Sequence, residues 1–395
     1  MQRKKIVVGN TRSSVTRDNN VLSITALVYS VSMGIQAVLL PLLALAAGYS
    51  KPDIGILTAL SAVTQLVSRM SSASAMRRIS DKVLVSCACL AMALSGLLVA
   101  WSAYVLVFVA AELIQGLARG TFWTAATTHV VRQDGPSVGR MAAVNFFSSF
   151  GLLSGPILAG YLARFSLSTA LFIAGGIAII ASIPAMALAK EAPFTKEGRR
   201  VKREIWNQHE VQIGSWAGLT AGSWRGILNS YVPVVLKSVG DSYFLVGVLV
   251  AVANAASIAG AGIMGMLNRF APIRVFAIGV LTAAAGTALV GLTARSVSVT
   301  VALLAIGGIG AGLLQTLGPV MAANGVSPQL KGDAVAIAGS FRAGALLVAP
   351  FFTALLLGPI GMTGALIIVG GVLGLPVFAA KGVFQRSPSA SSAET

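Results

Sequence analysis

Long apolar segments recur along nearly the whole chain, from Val21 to Ala380. An α-helix of about 20 apolar residues is long enough to cross the hydrocarbon core of a bilayer. Within that core every backbone N–H and C=O group must be bonded inside the protein, so segments of this kind are predicted to be helices. Only 10% of the residues are charged, whereas about a quarter are charged in a typical soluble domain. The sequence therefore predicts an all-α, multi-pass membrane protein.

Twelve membrane-spanning segments are separated by polar or by glycine- and proline-rich breaks. Tilt of the helices accommodates the segments that exceed a minimal span. Their predicted bounds are 21–48, 53–75, 83–102, 105–131, 139–164, 167–189, 211–237, 243–267, 272–293, 297–325, 333–357 and 361–380. Short tails, 1–20 and 381–395, precede and follow them.

The distribution of Lys and Arg predicts the orientation of these segments in the membrane. With the N-terminus in the cytoplasm, 21 of the 29 basic residues lie on the cytoplasmic side, six of them in the central loop. Both termini and this loop are therefore predicted to be cytoplasmic, in a protein of the cell (inner) membrane. The formal charge of +17 is spread over short loops rather than one soluble face, so we expect no nucleic-acid partner.

The chain shows an internal duplication around the central loop, 190–210. This loop separates a first bundle of six segments, 21–189, from a second, 211–380. Residues separated by 192 positions agree in glycine, proline and serine, as in the pairs Gly34–Gly226, Pro41–Pro233, Gly48–Gly240, Ser50–Ser242 and Gly55–Gly247. At a separation of 194, Pro156 matches Pro350. Because six is even, the two copies have the same orientation, which predicts two parallel six-helix repeats.

The fourth segment carries three polar groups, Glu112, Gln115 and Arg119, at helical spacings of three and four. Glu112 is the one acidic residue that we place inside a hydrophobic span rather than at its first position. An ionisable residue in a membrane helix is costly and indicates a functional site. The spacing of Glu112 and Arg119, about 10 Å along a helix at 1.5 Å per residue, is too long for an ideal direct contact.

Three motifs resemble those of the major facilitator superfamily, most closely its bacterial drug-efflux members. The fourth segment reads Glu-Leu-Ile-Gln-Gly at 112–116, where the family usually has Arg in place of Glu112. The fifth segment has a glycine row ending in Gly155-Pro156, which resembles the antiporter motif. The loop motif between the second and third segments survives only at 79–82, with Arg77 where the family has glycine. The resemblance implies twelve helices in two bundles that move around a site near the membrane midplane.

Candidate site residues follow from these patterns. Glu112 is the predicted proton-coupling residue, and a structural ion pair with Arg119 or Arg225 is the alternative. Intramembrane arginines, amides and aromatic or Met side chains are predicted to bind substrate: Arg119, Arg225, Arg342, Asn229, Asn254, Gln115, Gln36, Gln315, Trp123, Tyr29 and Met33. Motif residues are assigned to gating or helix packing: Asp81, Lys82, Arg69, Gly151, Gly155, Pro156 and Gly160. For Arg69 and Arg342, pairing with Asp81 or with helix ends is the alternative.

The predicted function is secondary active transport, with proton-coupled export of a small amphipathic organic compound as the favoured form. An organic-anion carrier, acting by symport or facilitated diffusion, and a membrane scaffold or receptor without transport remain as alternatives. The chain has no hydrolase triad or ATPase motif, so we expect no enzyme activity and no cofactor, with the proton gradient as energy source. The two histidines, His129 and His209, make no metal site and are assigned interfacial or solvated roles. The protein is expected to act as a monomer in contact with the lipid bilayer.

Overall fold

The computed structural model describes residues 2–76, 78–102, 104–133, 137–190, 205–264, 271–327 and 330–378. The predicted tail 381–395, most of the predicted linker 190–210, and Arg77 lie outside these residues. The described part of the chain is helical and contains no β-strand, which confirms the predicted fold class.

Eleven long helical segments are present in the described residues. The first half contains α1 (Gln2–Ala46), α2 (Lys51–Ala75), α3 (Asp81–Trp101), α4 (Val105–Arg132), α5 (Ser137–Leu162) and α6 (Leu167–Ala185). The second half contains α7 (His209–Ser238), α8 (Tyr243–Ile263), α9 (Pro272–Thr293), α10 (Val297–Asn324) and α11 (Lys331–Gly374). Helix α1 thus begins well before the predicted span.

Helix α11 consists of two helices that meet at Gly361. The backbone of Gly361 has φ 68° and ψ 177°, a conformation outside the helical region. Glycine adopts positive φ without the steric cost that a Cβ atom brings. The break therefore divides α11 into segments 331–360 and 362–374, and it lies at the predicted boundary between the last two spans.

Ten helical segments of the described chain are long and apolar enough to cross a membrane, and the last of them, Asp333–Phe378, contains both parts of α11. Helix α7 is not among the ten, although it has 30 residues. Its sequence includes Arg225, Asn229 and several serines, which lower its hydropathy. The polar residues of α7 are therefore candidates for function.

Exposed apolar side chains show why the described helices need a bilayer. On α6, the side chains of Ile180 and Ile183 are 55% and 65% exposed. A soluble protein seldom exposes contiguous apolar surface, but a lipid-facing helix does so along its length. The small residues of α6, such as Ala174 and Ala178, are fully buried instead.

The described helices form two compact units. Unit 1 comprises Met1–Arg199 and Asn229–Ala251, and unit 2 comprises Arg200–Leu228 and Val252–Thr395. In unit 1, α1 packs on α5 and α6, α2 packs on α4, and α3 packs on α4 and α6. In unit 2, α9 packs on α10 and α11, and α10 also packs on α11. The core of unit 1 includes Leu22, Tyr29, Met92 and Phe122, all fully buried.

The two repeats have the same local structure where their helices turn. Gly48 and Gly240 both have positive φ, 87° and 105°, at the turns that follow α1 and α7. Two residues further on, Ser50 accepts a hydrogen bond from the N–H group of Asp53 at 3.3 Å. Ser242 accepts the matching bond from the N–H group of Leu245 at 3.2 Å. Each serine satisfies a donor at the N-terminus of the next helix, so the matched sequence positions perform matched structural roles.

Candidate functional site

The polar groups of α4 lie on the side of the helix that faces α1, α2 and α3. Glu112 and Gln115 are 5% and 2% exposed, and Arg119 is partly buried. The helix approaches α2 closely because Gly116 and Gly120 have no side chains. A Cβ atom added at Gly120 would lie 2.6 Å from the carbonyl oxygen of Gln65, and one added at Gly116 would overlap Ser61. The glycine after Gln115 is therefore required for this packing.

Glu112 is a buried carboxylate without a close cation. Among the described residues of unit 1, no Lys, Arg or His nitrogen lies within 4.0 Å of its carboxylate oxygens. The charges of Glu112 and Arg119 nevertheless act on each other through the protein interior, and Ser61 of α2 is the neighbouring hydroxyl. The predicted absence of direct contact between Glu112 and Arg119 is thus found in the structure. A charge held in this way is available to a proton or to a bound cation.

Arg119 and Tyr29 each present a polar atom with no protein partner. Within the described part of the chain, Nε of Arg119 and the hydroxyl of Tyr29 are buried and make no hydrogen bond. Buried polar atoms are normally paired, so unpaired ones point to water or to a ligand. The Tyr29 ring stacks on Phe122 with centroids 3.8 Å apart and planes inclined by 3°. Phe122 in turn contacts Trp123 edge to face at 5.3 Å.

The predicted amide ligands Gln36 and Gln115 bond to each other. Nε2 of Gln115 donates to Oε1 of Gln36 at 3.1 Å. Nε2 of Gln36 donates to Ser32 at 3.2 Å and to the carbonyl oxygen of Met92 at 3.1 Å. These bonds connect α1, α3 and α4. Their geometry fits a packing role for the two amides, and Met33 lies nearby, partly buried against the same core.

Unit 2 contains two pairs of an arginine and an amide. Arg225 of α7 donates from Nη1 to Oδ1 of Asn254 on α8 at 2.8 Å. Arg342 of α11 donates from Nη2 to Oε1 of Gln315 on α10 at 2.9 Å. All four were predicted to bind substrate, and the structure brings them together two by two. Asn229, one turn beyond Arg225 on α7, is partly buried.

The glycine row of α5 is a close-packing surface within unit 1. A Cβ atom added at Gly151 would lie 2.5 Å from the carbonyl oxygen of Leu27, and one added at Gly155 would lie 2.7 Å from that of Val31, both on α1. At Gly160 it would lie 2.6 Å from the carbonyl oxygen of Tyr243. The row therefore sets how closely α5 packs on α1 and on the start of α8.

Asp81 is fully buried at the first residue of α3. Its Oδ2 lies 2.9 Å from Nδ1 of His129 and 3.8 Å from Nη1 of Arg132, both on α4. Within unit 1, the neighbours of Asp81 are therefore His129 and Arg132 rather than the predicted Arg69. Lys82 is partly buried beside Asp81, and Arg69 is partly buried on α2, with Nε unpaired among the described groups.

The interfacial or solvated role predicted for His129 is wrong. Its side chain is 0% exposed, and its second ring nitrogen contacts the carboxylate of Asp18 on α1. Asp18 was placed in the polar tail, but α1 extends through it, and it is 7% exposed. Glu112 is therefore not the only buried acidic residue. Asp18 stands only a few residues before the apolar part of α1, and no helix-breaking residue separates the two. This position is the sequence signal that was missed.

No group of three or more His, Cys, Asp or Glu side chains in the described residues could hold a metal ion.

In the described part of the chain, ten apolar helical segments long enough to span a membrane, together with buried charged residues such as Glu112, define a multi-pass membrane protein. The sequence model of the Major Facilitator Superfamily matches residues 22–219, half of the chain. The chain belongs to this superfamily, and its family and fold indicate a transporter rather than an enzyme.

Solved structures of several transporters have a similar fold. A variant of the nucleoside transporter NupG is 14% identical, with a TM-score of 0.78, and the match covers 93% of this chain and 99% of that one. A bacterial homologue of the human lysosomal transporter Spinster, inward-facing and unoccupied, is 13% identical with a TM-score of 0.76, over 96% and 99% of the two chains. A POT family transporter in complex with 5-aminolevulinic acid is 12% identical with a TM-score of 0.79, over 93% and 96%. No curated protein matches the chain by sequence.

Proposed function

We propose that this transporter exports a small amphipathic organic compound in exchange for protons, by alternating access. In this proposal it acts as a monomer in the cell membrane, with both termini in the cytoplasm. The helices of 21–189 and 211–380 form its two bundles, and 190–210 connects them. The transmembrane proton gradient supplies the energy.

The observation that carries the proposal is the buried environment of the Glu112 carboxylate. Glu112 is 5% exposed, and no basic nitrogen of the described residues of unit 1 lies within 4.0 Å of its carboxylate. An ionised carboxylate in an apolar interior is costly unless it is paired, and binding a proton removes the charge. Glu112 therefore has a physical reason to bind a proton whenever no other cation occupies the site.

Exchange follows if the proton and the substrate compete for this carboxylate. A cationic or polar group of the substrate that approaches Glu112 stabilises its ionised form and so favours release of the proton. The return of the proton removes the attraction and favours release of the substrate. Trp123, which is partly buried and contacts Phe122 edge to face, adds aromatic surface to unit 1, which suits the apolar part of an amphipathic compound.

The proposal is tested by measuring proton-driven export by the Glu112→Gln variant. Glutamine keeps the size of the side chain and its hydrogen bonding but cannot release a proton. In liposomes with an imposed pH gradient, we expect this variant to lose accumulation driven by the gradient while it keeps substrate exchange. Asp53→Asn, which changes an exposed carboxylate at the start of α2, is the matched control and should transport normally. Normal gradient dependence of Glu112→Gln, in protein of unchanged thermal stability, would refute the role of Glu112.

An organic-anion carrier is the second candidate. It is favoured by the unpaired buried Nε of Arg119 and the unpaired hydroxyl of Tyr29. A guanidinium group binds a carboxylate or phosphate through charge-assisted hydrogen bonds, and a phenol hydroxyl can add another. The two candidates differ in the charge of the substrate, so they predict opposite effects of removing Arg119.

A further inference from the structure

A second buried cluster of titratable groups lies away from Glu112, at the end of unit 1 where α3 begins and α4 ends. Its centre is His129, which is 0% exposed. One ring nitrogen, Nδ1, lies 2.9 Å from Oδ2 of Asp81 on α3. The other, Nε2, contacts Oδ2 of Asp18 on α1. A single imidazole thus joins carboxylates from two different helices.

The protonation state of His129 decides how many of these contacts are favourable. A neutral imidazole carries one N–H group, so it can donate to only one of the two carboxylates. The other carboxylate would then face a nitrogen lone pair inside a buried site. An imidazolium donates from both nitrogens and adds a positive charge between the two negative ones. Binding of one proton therefore converts a repulsive arrangement into a bridged one.

The surrounding groups extend this bridge to further helices. Asp18 also accepts hydrogen bonds from the side-chain amide of Gln133 and, at 2.8 Å, from the backbone N–H group of Ala189, which follows α6. Arg132 on α4 lies 3.8 Å from Asp81, and Arg140 on α5 donates to the carbonyl oxygens of Val130 and Gln133. The charged residues next in sequence to Asp18, Asp81 and Ala189 are Arg17, Lys82 and Lys190. Two carboxylates, one guanidinium close to them and one imidazolium make a balanced core.

We propose that His129, Asp18 and Asp81 form a proton-binding site that, when protonated, locks the ends of α1, α3 and α4 together. The lock is independent of the substrate and of Glu112, which precedes His129 on α4 by 17 residues or about 25 Å at 1.5 Å per residue. Loss of the proton releases α1 from α3 and α4 at this end of unit 1. The protein thereby senses the pH of the compartment that this end faces.

The presence of only two histidines in the chain, His129 and His209, makes the test specific. The thermal stability of the full-length protein in lipid nanodiscs is measured between about pH 5.5 and 10, a range that extends well above the titration of ordinary histidine because the two carboxylates favour the protonated ring. Because the proton bridges the folded state, we expect stability to fall as the pH rises through the deprotonation of His129. His209→Gln should retain this fall, and His129→Gln should lose it. The same pH dependence in wild type and in His129→Gln would overturn the proposal.

A second measurement applies even if His129→Gln does not fold. ¹⁵N-histidine NMR of the wild type and of His209→Gln assigns the His129 ring and reports whether both of its nitrogens carry protons. We expect a doubly protonated ring whose deprotonation coincides with the fall in stability. Deprotonation without any change in stability, or a ring that is neutral over the whole pH range, would also overturn the proposal. Transport by Glu112→Gln does not enter this test, so its outcome is separate from that of the proposed function.

Discussion

Gly226 of α7 lies against Pro350 of α11, and a Cβ atom added to the glycine would be 3.1 Å from Cδ of the proline. In the first repeat, Gly34 of α1 lies against Pro156 of α5 at the same distance, 3.1 Å. These four residues were matched by sequence offset alone. The same contact therefore occurs in both repeats of the chain. In each, a proline ring occupies the space that the side chain missing from the glycine leaves open.

Large side chains at these two glycines should destabilise the protein. Overpacking of a core typically costs about 1–3 kcal/mol, so Gly34→Leu and Gly226→Leu should each lower the melting temperature in detergent. Gly176→Leu on α6 is the control, because no atom lies within 4 Å of a Cβ atom placed there. An equal effect of all three substitutions would mean that glycine has no special role at the two contacts.

Gly116 should tolerate an added side chain even less than Gly120, the other glycine of α4. A methyl group at this position would overlap two atoms of α2, the carbonyl oxygen of Ser61 and the hydroxyl oxygen of Thr64. Gly116 lies one turn beyond Glu112 on α4. Gly116→Ala must therefore push this part of α4 away from α2. We expect lower thermal stability and reduced transport, measured on the same preparation. Gly139→Ala on α5, where the added methyl meets nothing within 4 Å, should change neither.

The bond between Gln36 and Gln115 can be tested by a double-mutant cycle. Interhelical hydrogen bonds in membrane proteins contribute about 0.6 kcal/mol on average. Gln36→Leu and Gln115→Leu should each lower the free energy of unfolding, and the double variant should lose less than the sum. If the two amides bind substrate instead, the single variants will raise KM with little change in stability.

The charge of Arg119 distinguishes the two candidate substrates. Arg119→Gln removes a positive charge from the region of Glu112, so binding of amphipathic cations should be unchanged or tighter. For an anion carrier, loss of a charge-assisted hydrogen bond, about 1.5–3 kcal/mol, should weaken anion binding tenfold or more. Equilibrium binding to the purified protein measures both. Arg295→Gln, an exposed arginine between α9 and α10, is the control and should have no effect in either case.

The helices and the duplication could be predicted from the sequence because both depend on local patterns. Apolar length predicts a spanning helix, and a positive-φ glycine followed by a serine cap predicts a turn wherever it occurs. Gly48 and Gly240 are therefore equivalent in sequence and in structure. The break at Gly361 also agrees with the predicted boundary between the last two spans, although α11 continues around it.

The partners of the polar side chains could not be predicted in the same way. Asp18 and His129 are 111 residues apart in the chain, and the rotation and depth of α1 and α4 decide whether they meet. Periodicity places a residue on a face of its own helix but does not say which helix lies opposite. For this reason Gln36 and Gln115 were predicted as substrate ligands, although the structure pairs them with each other.

The sequence by itself determined that the chain crosses a membrane as helices, that it is duplicated, and that Glu112 and Arg119 share one helical face. Each of these follows from hydropathy, spacing or repetition along the chain. Only the tertiary structure decided that Glu112 has no close cation among the described residues of unit 1 and that His129 joins Asp18 to Asp81. Those facts depend on how separate helices pack, and in an apolar interior the packing decides which charges are paired.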